Sequence, residues 1–95
     1  MSDFTLKLRR PVMVNGHQID EVTLRPPSLD GFVRLLAIGD IGDEIQEARE
    51  TVAALADLPG EVVGKLDLRD FVELSEAAAP LLEEALAAAP AITRH

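Results

Sequence analysis

Phe4-Thr5-Leu6-Lys7-Leu8-Arg9 alternates apolar and polar side chains, the two-residue period of a half-buried strand. Pro11 has no N–H, which makes its own position an edge or a bend. Val12-Met13-Val14 resumes extended character, and Asn15-Gly16 follows. Both of these residues tolerate positive φ, so the pair marks a tight hairpin turn. The return strand runs from Gln18 to Arg25, with Ile19, Val22 and Leu24 as its apolar members. Its alternation slips between Ile19 and Val22, and a bulge at that point explains the slip. A lone hairpin is marginal in water, so this one must pack on something.

From Pro26-Pro27-Ser28 onward the period becomes helical. Ser28 suits an N-cap, with Asp30 favourable in the first turn. Leu29, Phe32, Val33, Leu36 and Ala37 fall at helical spacing, and Gly39 is a natural stop. After a loop, Asp43 caps a second helix running to about Asp57, with Ile45, Ala48, Val52, Leu55 and Ala56 as its stripe. Pro59 suits the first position of a short turn carrying Val62, Val63 and Leu66. Asp67 caps the next helix, and Asp70 three residues on forms a capping box with Asp in place of Glu. Leu68, Phe71, Val72, Leu74 and Ala78 supply its apolar face. Pro80 falls inside the pattern and is expected to kink or split this helix. Leu81, Leu82, Ala85 and Leu86 continue the period beyond it, and Ala87 to Ala91 is expected to fray around Pro90. The predicted class is α+β, one domain over residues 1–95. It comprises a two-stranded antiparallel β-hairpin (1–27), a bundle of three to four α-helices (28–89) and a frayed tail (90–95). Ninety-five residues leave no room for a second core.

Composition removes several functions. There is no cysteine, which excludes disulfides, thiolate metal sites and cysteine nucleophiles. Two histidines, one of them the last residue, make a histidine-based zinc cage an unfavoured reading. Three Phe are the only aromatics, too few for a base-stacking platform. Seventeen acidic residues against nine basic give a net charge of −8, the wrong sign for a phosphate-backbone binder. At 47% apolar the chain is too hydrophobic for a disordered acidic tail. Met1 to Arg10 does not read as a signal peptide, and no window reaches the ~18 apolar residues of a membrane span. The expected setting is the cytoplasm. The charge is uneven: residues 1–34 are close to neutral, whereas residues 35–95 carry four bases and thirteen acids, a net of −9.

No candidate for catalysis outweighs its plainer explanation. His17 lies beside the hairpin turn, and no orienting carboxylate and nucleophile accompany it. Asp40, Asp43, Glu44 and Glu47 lack the alternating spacing of a calcium loop and read as helix-capping acids. Glu73, Glu76, Glu83 and Glu84 lie on the polar face of an amphipathic helix, and Gly60 and Gly64 lack the Lys-Ser or Lys-Thr of a phosphate loop. Arg9, Arg10, Arg25 and Arg34 read as solubilising edge charges. No metal, cofactor or catalytic set is expected. The apolar helix stripes remain, with two readings open: intramolecular core, or a surface for an amphipathic segment of another protein.

The order of these features resembles the tail assembly chaperones of Mu-like and related contractile-tailed bacteriophages. Pro11, Asn15, Gly16, Thr23, Leu24, Arg25 and Pro27 match that family's hairpin motif. Leu58, Pro59, Leu66, Asp67, Asp70, Phe71 and Leu74 match its later Leu-Pro and Leu-Asp motifs. The likeness covers about residues 4–84, and the Ala-rich, Pro-containing tail departs from it. The resemblance implies a non-enzymatic protein of the bacterial host cytoplasm, absent from the mature virion, that binds the tape-measure protein and keeps it soluble. It also implies a longer, frameshifted form that recruits tail-tube protein. Phe71, Leu74, Leu81, Leu82 and Leu86 are the expected partner surface, with neither nucleic acid nor membrane as partner. The exposed hairpin edge allows a homo-oligomer. The competing reading is a small acidic regulatory or adaptor module, antitoxin-like in character.

Overall fold

A computed structural model of the chain describes residues 3–39 and 41–93. Strands β1 (Phe4–Val14) and β2 (His17–Leu24) form a two-stranded antiparallel sheet. Four helices follow: α1 (Leu29–Ile38), α2 (Glu44–Ala56), α3 (Gly60–Val63) and α4 (Leu68–Thr93). The α+β class expected from the sequence is the one observed.

The turn forms as its residues require. Asn15 and Gly16 take φ of 50° and 81°, and Val14 pairs with His17 across them. Two successive positive φ values match the right-handed twist of the flanking strands. At the far end of the hairpin the Thr5 and Thr23 hydroxyls share a 2.9 Å hydrogen bond. Between the Lys7↔Glu21 and Val12↔Ile19 pairs the ladder is interrupted. Four β1 residues, Leu8 to Pro11, lie there opposite Asp20 alone. The irregularity is therefore level with the slip seen in the β2 pattern, but the surplus residues belong to β1. Their odd surplus changes the phase of β2: Val22 and Leu24 point inward on one side of it and Ile19 on the other. Pro11, which has no N–H to give a ladder, sits within the interruption.

α2 lies at the centre. Val52, Ala53, Ala54 and Leu55 are four consecutive buried residues, because α1, α3, α4 and β2 all pack around its C-terminal half. The inner face of the hairpin adds Leu8, Val12, Val22 and Leu24, and α4 adds Leu74, Ala78, Leu81 and Ala85. Gly31 lets α1 lie close against α2: a Cβ there would be 3.3 Å from the Ala54 carbonyl oxygen.

Capping follows the sequence with three changes. Ser28 Oγ accepts from the Gly31 N–H at 3.2 Å, and Asp43 Oδ1 accepts from Ile45 and Gln46. Gly39 ends α1 in the right-handed region (φ −59°), whereas the left-handed stop occurs at Asp57 after α2 (φ 58°). Pro59 precedes the first helical residue of α3 instead of occupying it. α4 is a single helix running through Pro80 and Pro90, so the split into two helices allowed by the sequence does not occur. Pro80 is exposed, and so is Glu76, whose carbonyl loses its helical N–H partner on a side open to solvent. At about 1.5 Å per residue, α4 is about 39 Å long, nearly the full 45 Å extent of the molecule. Residues 90–93 of the tail expected to fray belong to this helix, and residues 94–95 lie outside the described part of the chain.

Candidate functional site

The first functional feature is the phase of α1. Phe32 and Leu35 face the core with Gly31, and Ile38 is half-buried. Leu29, Val33 and Leu36 point outward and are 70%, 56% and 54% exposed. The sequence pattern groups Leu29, Phe32, Val33, Leu36 and Ala37 by helical spacing, and the structure divides them, with Phe32 inward and the others exposed. Residues 29, 33 and 36 make an i, i+4, i+7 stripe of their own. A helix apolar all round is normally buried all round, whereas α1 is covered on one side only. Ile45 of α2 is a parallel case: expected in the core stripe, it is largely exposed at the uncovered start of its helix.

Beside this stripe lies an open groove of about 420 Å³ between α1 and the second half of α4. Leu29, Phe32, Leu81, Ala85 and Ala88 line it with Glu84, and Pro26-Pro27 closes one end. The five residues expected as partner surface share one side of α4 but are not one open surface. Leu74 and Leu81 are buried core residues, and Leu81 also contributes to the wall of the groove. Phe71 and Leu82 are half-buried in separate hollows, Phe71 with Leu66 and Leu68, Leu82 with Ala48 and Ala79. Leu86 is 51% exposed. Leu29, Val33 and Leu36 were missed as surface because periodicity alone does not say which of two apolar sides turns inward.

Charge placement also differs from expectation. Asp70 does not close a capping box. Its fully buried carboxylate accepts the Arg9 backbone N–H at 3.0 Å and the Arg9 guanidinium at 2.6 Å, tying the irregular part of β1 to α4. Glu73 takes the same Arg9 nitrogen at 2.8 Å. Arg34 donates to the Leu58 carbonyl at 3.1 Å and reaches the Ala53 carbonyl at 3.5 Å. It thereby places a cation at the negative end of α2. Arg25 pairs with Asp3 at 3.4 Å. Arg9 and Arg34 are thus connectors between elements rather than solubilising edge charges. Asp67 caps α4 through Oδ1 to the Arg69 N–H. The Arg69 guanidinium and that same N–H hold its carboxyl well below the usual carboxylate range.

His17 is exposed beside the turn, and Asp43 and Glu47 serve the start of α2, Glu47 by accepting from the Gly42 N–H. Asp40 lies outside the described residues. Among the described residues no three His, Asp or Glu side chains gather as a metal set, and no helix is long and apolar enough to cross a membrane.

A hairpin strapped to four helices, with one apolar helix face left bare beside an open groove, is the architecture of a small interaction domain. The chain belongs to the phage tail assembly chaperone family described as proteins "E, or 41 or 14", whose model matches residues 5–83. That span takes in the hairpin, α1 to α3 and α4 as far as Glu83; Leu86 lies beyond it. No curated protein and no solved structure matches the chain.

Proposed function

We propose that this chaperone binds the phage tape-measure protein and keeps it soluble until the tail tube assembles around it. The observation that carries the reading is the bare apolar stripe Leu29, Val33 and Leu36 on a chain of net charge −8. Apolar residues of a long helical client find cover there, while the acidic helices keep the complex dispersed. The role is non-enzymatic and belongs to the host cytoplasm; the chaperone leaves before the virion is complete. A longer form of the chain, extended by frameshifting, contacts tail-tube protein.

The stripe also sets a scale. Complete burial of a Leu or Val side chain is worth about 1.5–3 kcal/mol. With the exposures above, the three side chains still have about 3–5 kcal/mol to contribute. Against the cost of association this is weak binding per copy. Several copies on one long client then hold it collectively, and each is released singly. Co-expression with the tape-measure protein tests the reading. The expected result is a higher soluble yield of that protein and its co-purification with the chain. Unchanged solubility together with no co-purification sinks it.

A further inference from the structure

We infer that the groove between α1 and α4 seats an amphipathic helix of the client whose apolar face is flanked by lysine or arginine. This rests on the chaperone reading and adds the place and the chemistry of the contact. The floor is apolar and its α4 side is built from Leu81, Ala85 and Ala88. The two alanines leave room for a second helix to approach closely, since interaxial distance follows side-chain size. The bare stripe of α1 runs on from Leu29, which also lines the groove, so a seated helix gains both surfaces.

Charge selects the occupant. Among the described residues Glu84 is the one charged residue lining the groove, and exposed Asp30 adjoins Leu29 in the chain. From Asp70 to Thr93, α4 carries five acids and no base; Arg9 holds Asp70 and Glu73, which leaves Glu76, Glu83 and Glu84 exposed and unpaired by their own helix. The base nearest in sequence on α1, Arg34, is drawn toward the carbonyls that end α2. Among the described residues no cation lines the groove to balance Glu84, so a cationic helix meets a complementary rim. A second copy of this chain brings the same net −8 and the same acids, so repulsion opposes it as occupant.

The test uses the full chain and two labelled synthetic helices with identical Leu/Ala faces, one flanked by lysine and one by glutamate. Fluorescence anisotropy reads their binding at low salt. The lysine helix is expected to bind at least about tenfold more tightly, with the preference shrinking as salt screens the rim. Asp30→Lys with Glu84→Lys is expected to abolish or reverse that preference. Val33→Asp is expected to weaken the lysine helix by about tenfold or more, by placing a charge in the apolar contact. All three positions are exposed, and circular dichroism checks that the variants keep their helices. Equal binding of both helices, or unchanged binding by Val33→Asp, overturns the inference. So does light scattering that shows a wild-type dimer converted to monomer by Val33→Asp, which makes the stripe a self-contact. Co-purification with the tape-measure protein separates the two readings. If the wild type and all variants capture it equally, the client sits elsewhere, and the groove inference falls while the chaperone reading stands. If the wild type captures none but binds the lysine helix as expected, the chaperone reading falls and the groove chemistry stands.

Discussion

Asp70→Ala tests how the hairpin is fastened to the helices. The Asp70 carboxylate has no exposed surface, and both of its oxygens are engaged by Arg9, sixty-one residues earlier in the chain. Alanine leaves the Arg9 N–H, released from the ladder by the β1 irregularity, without its acceptor. A hydrogen bond involving a charged group contributes about 1.5–3 kcal/mol. We therefore expect Asp70→Ala to cost about 2–3 kcal/mol, out of a total of about 5–14 kcal/mol for a chain of this length. That corresponds to a fall in Tm of about 10–20 °C.

Urea and thermal unfolding followed by far-ultraviolet circular dichroism measure the loss. Asp70→Asn keeps a carbonyl oxygen for the backbone N–H and should lose about half as much. Glu73→Ala, half-exposed, should stay within about 0.5 kcal/mol of wild type. A capping-box role for Asp70 makes a different forecast: a cost of about 0.5–1 kcal/mol that adds independently to the effect of Arg9→Ala. A loss below about 1 kcal/mol, or strict additivity with Arg9→Ala, refutes the fastening.

Three further outcomes are expected. Leu74→Ala should cost about 2–5 kcal/mol because it empties a fully buried site; Leu86→Ala should change stability by less than about 0.5 kcal/mol, both read by urea unfolding. Pro80→Ala should raise stability by about 1–2 kcal/mol, since it restores a helical N–H to the Glu76 carbonyl at the cost of a more flexible unfolded chain; a Tm equal to or below wild type speaks against a continuous α4. Asp67→Asn retains a capping oxygen but loses the ion pair with Arg69. Because the folded carboxyl is held below its ordinary value of 3.8, its contribution is fully present above that pH and is lost as pH falls further below it. The wild-type advantage over Asp67→Asn should accordingly be constant near neutrality and shrink in thermal scans below about pH 4.

The parts legible in the sequence are those decided by neighbours in the chain. Asn15-Gly16 specifies its turn through two positive φ values, and Ser28 and Asp43 cap the helices that begin beside them. The parts that were not legible depend on what lies across the fold. Whether Pro80 breaks α4 depends on which way its turn faces. Whether Asp70 caps its own helix or holds β1 depends on a strand sixty-one residues away. The candidate site shows the same limit. Leu74 and Leu81 share the period of a partner surface, but the hairpin and α2 cover them. Leu29, Val33 and Leu36 share the period of a core stripe, and nothing among the described residues covers them enough to bury them.

The charge division of the chain takes on a different meaning once its cations are located. By count, the first 34 residues are nearly neutral and the remainder acidic. Arg9 is held by Asp70 and Glu73, Arg34 by the carbonyls at the end of α2, and Arg25 by Asp3. Three of the five bases in the first segment are therefore committed within the fold. Glu76, Glu83 and Glu84 are exposed on α4, and between Asp70 and Thr93 this helix carries no base. Of these, Glu84 lines the groove beside the uncovered apolar face, a juxtaposition that the composition alone does not reveal. On the proposed reading, this juxtaposition reconciles retention with release. The apolar stripe supplies non-directional attraction, and the acidic rim restricts it to cationic helices. The small area of the stripe keeps each copy weak enough to be displaced one at a time as tube subunits take over the client.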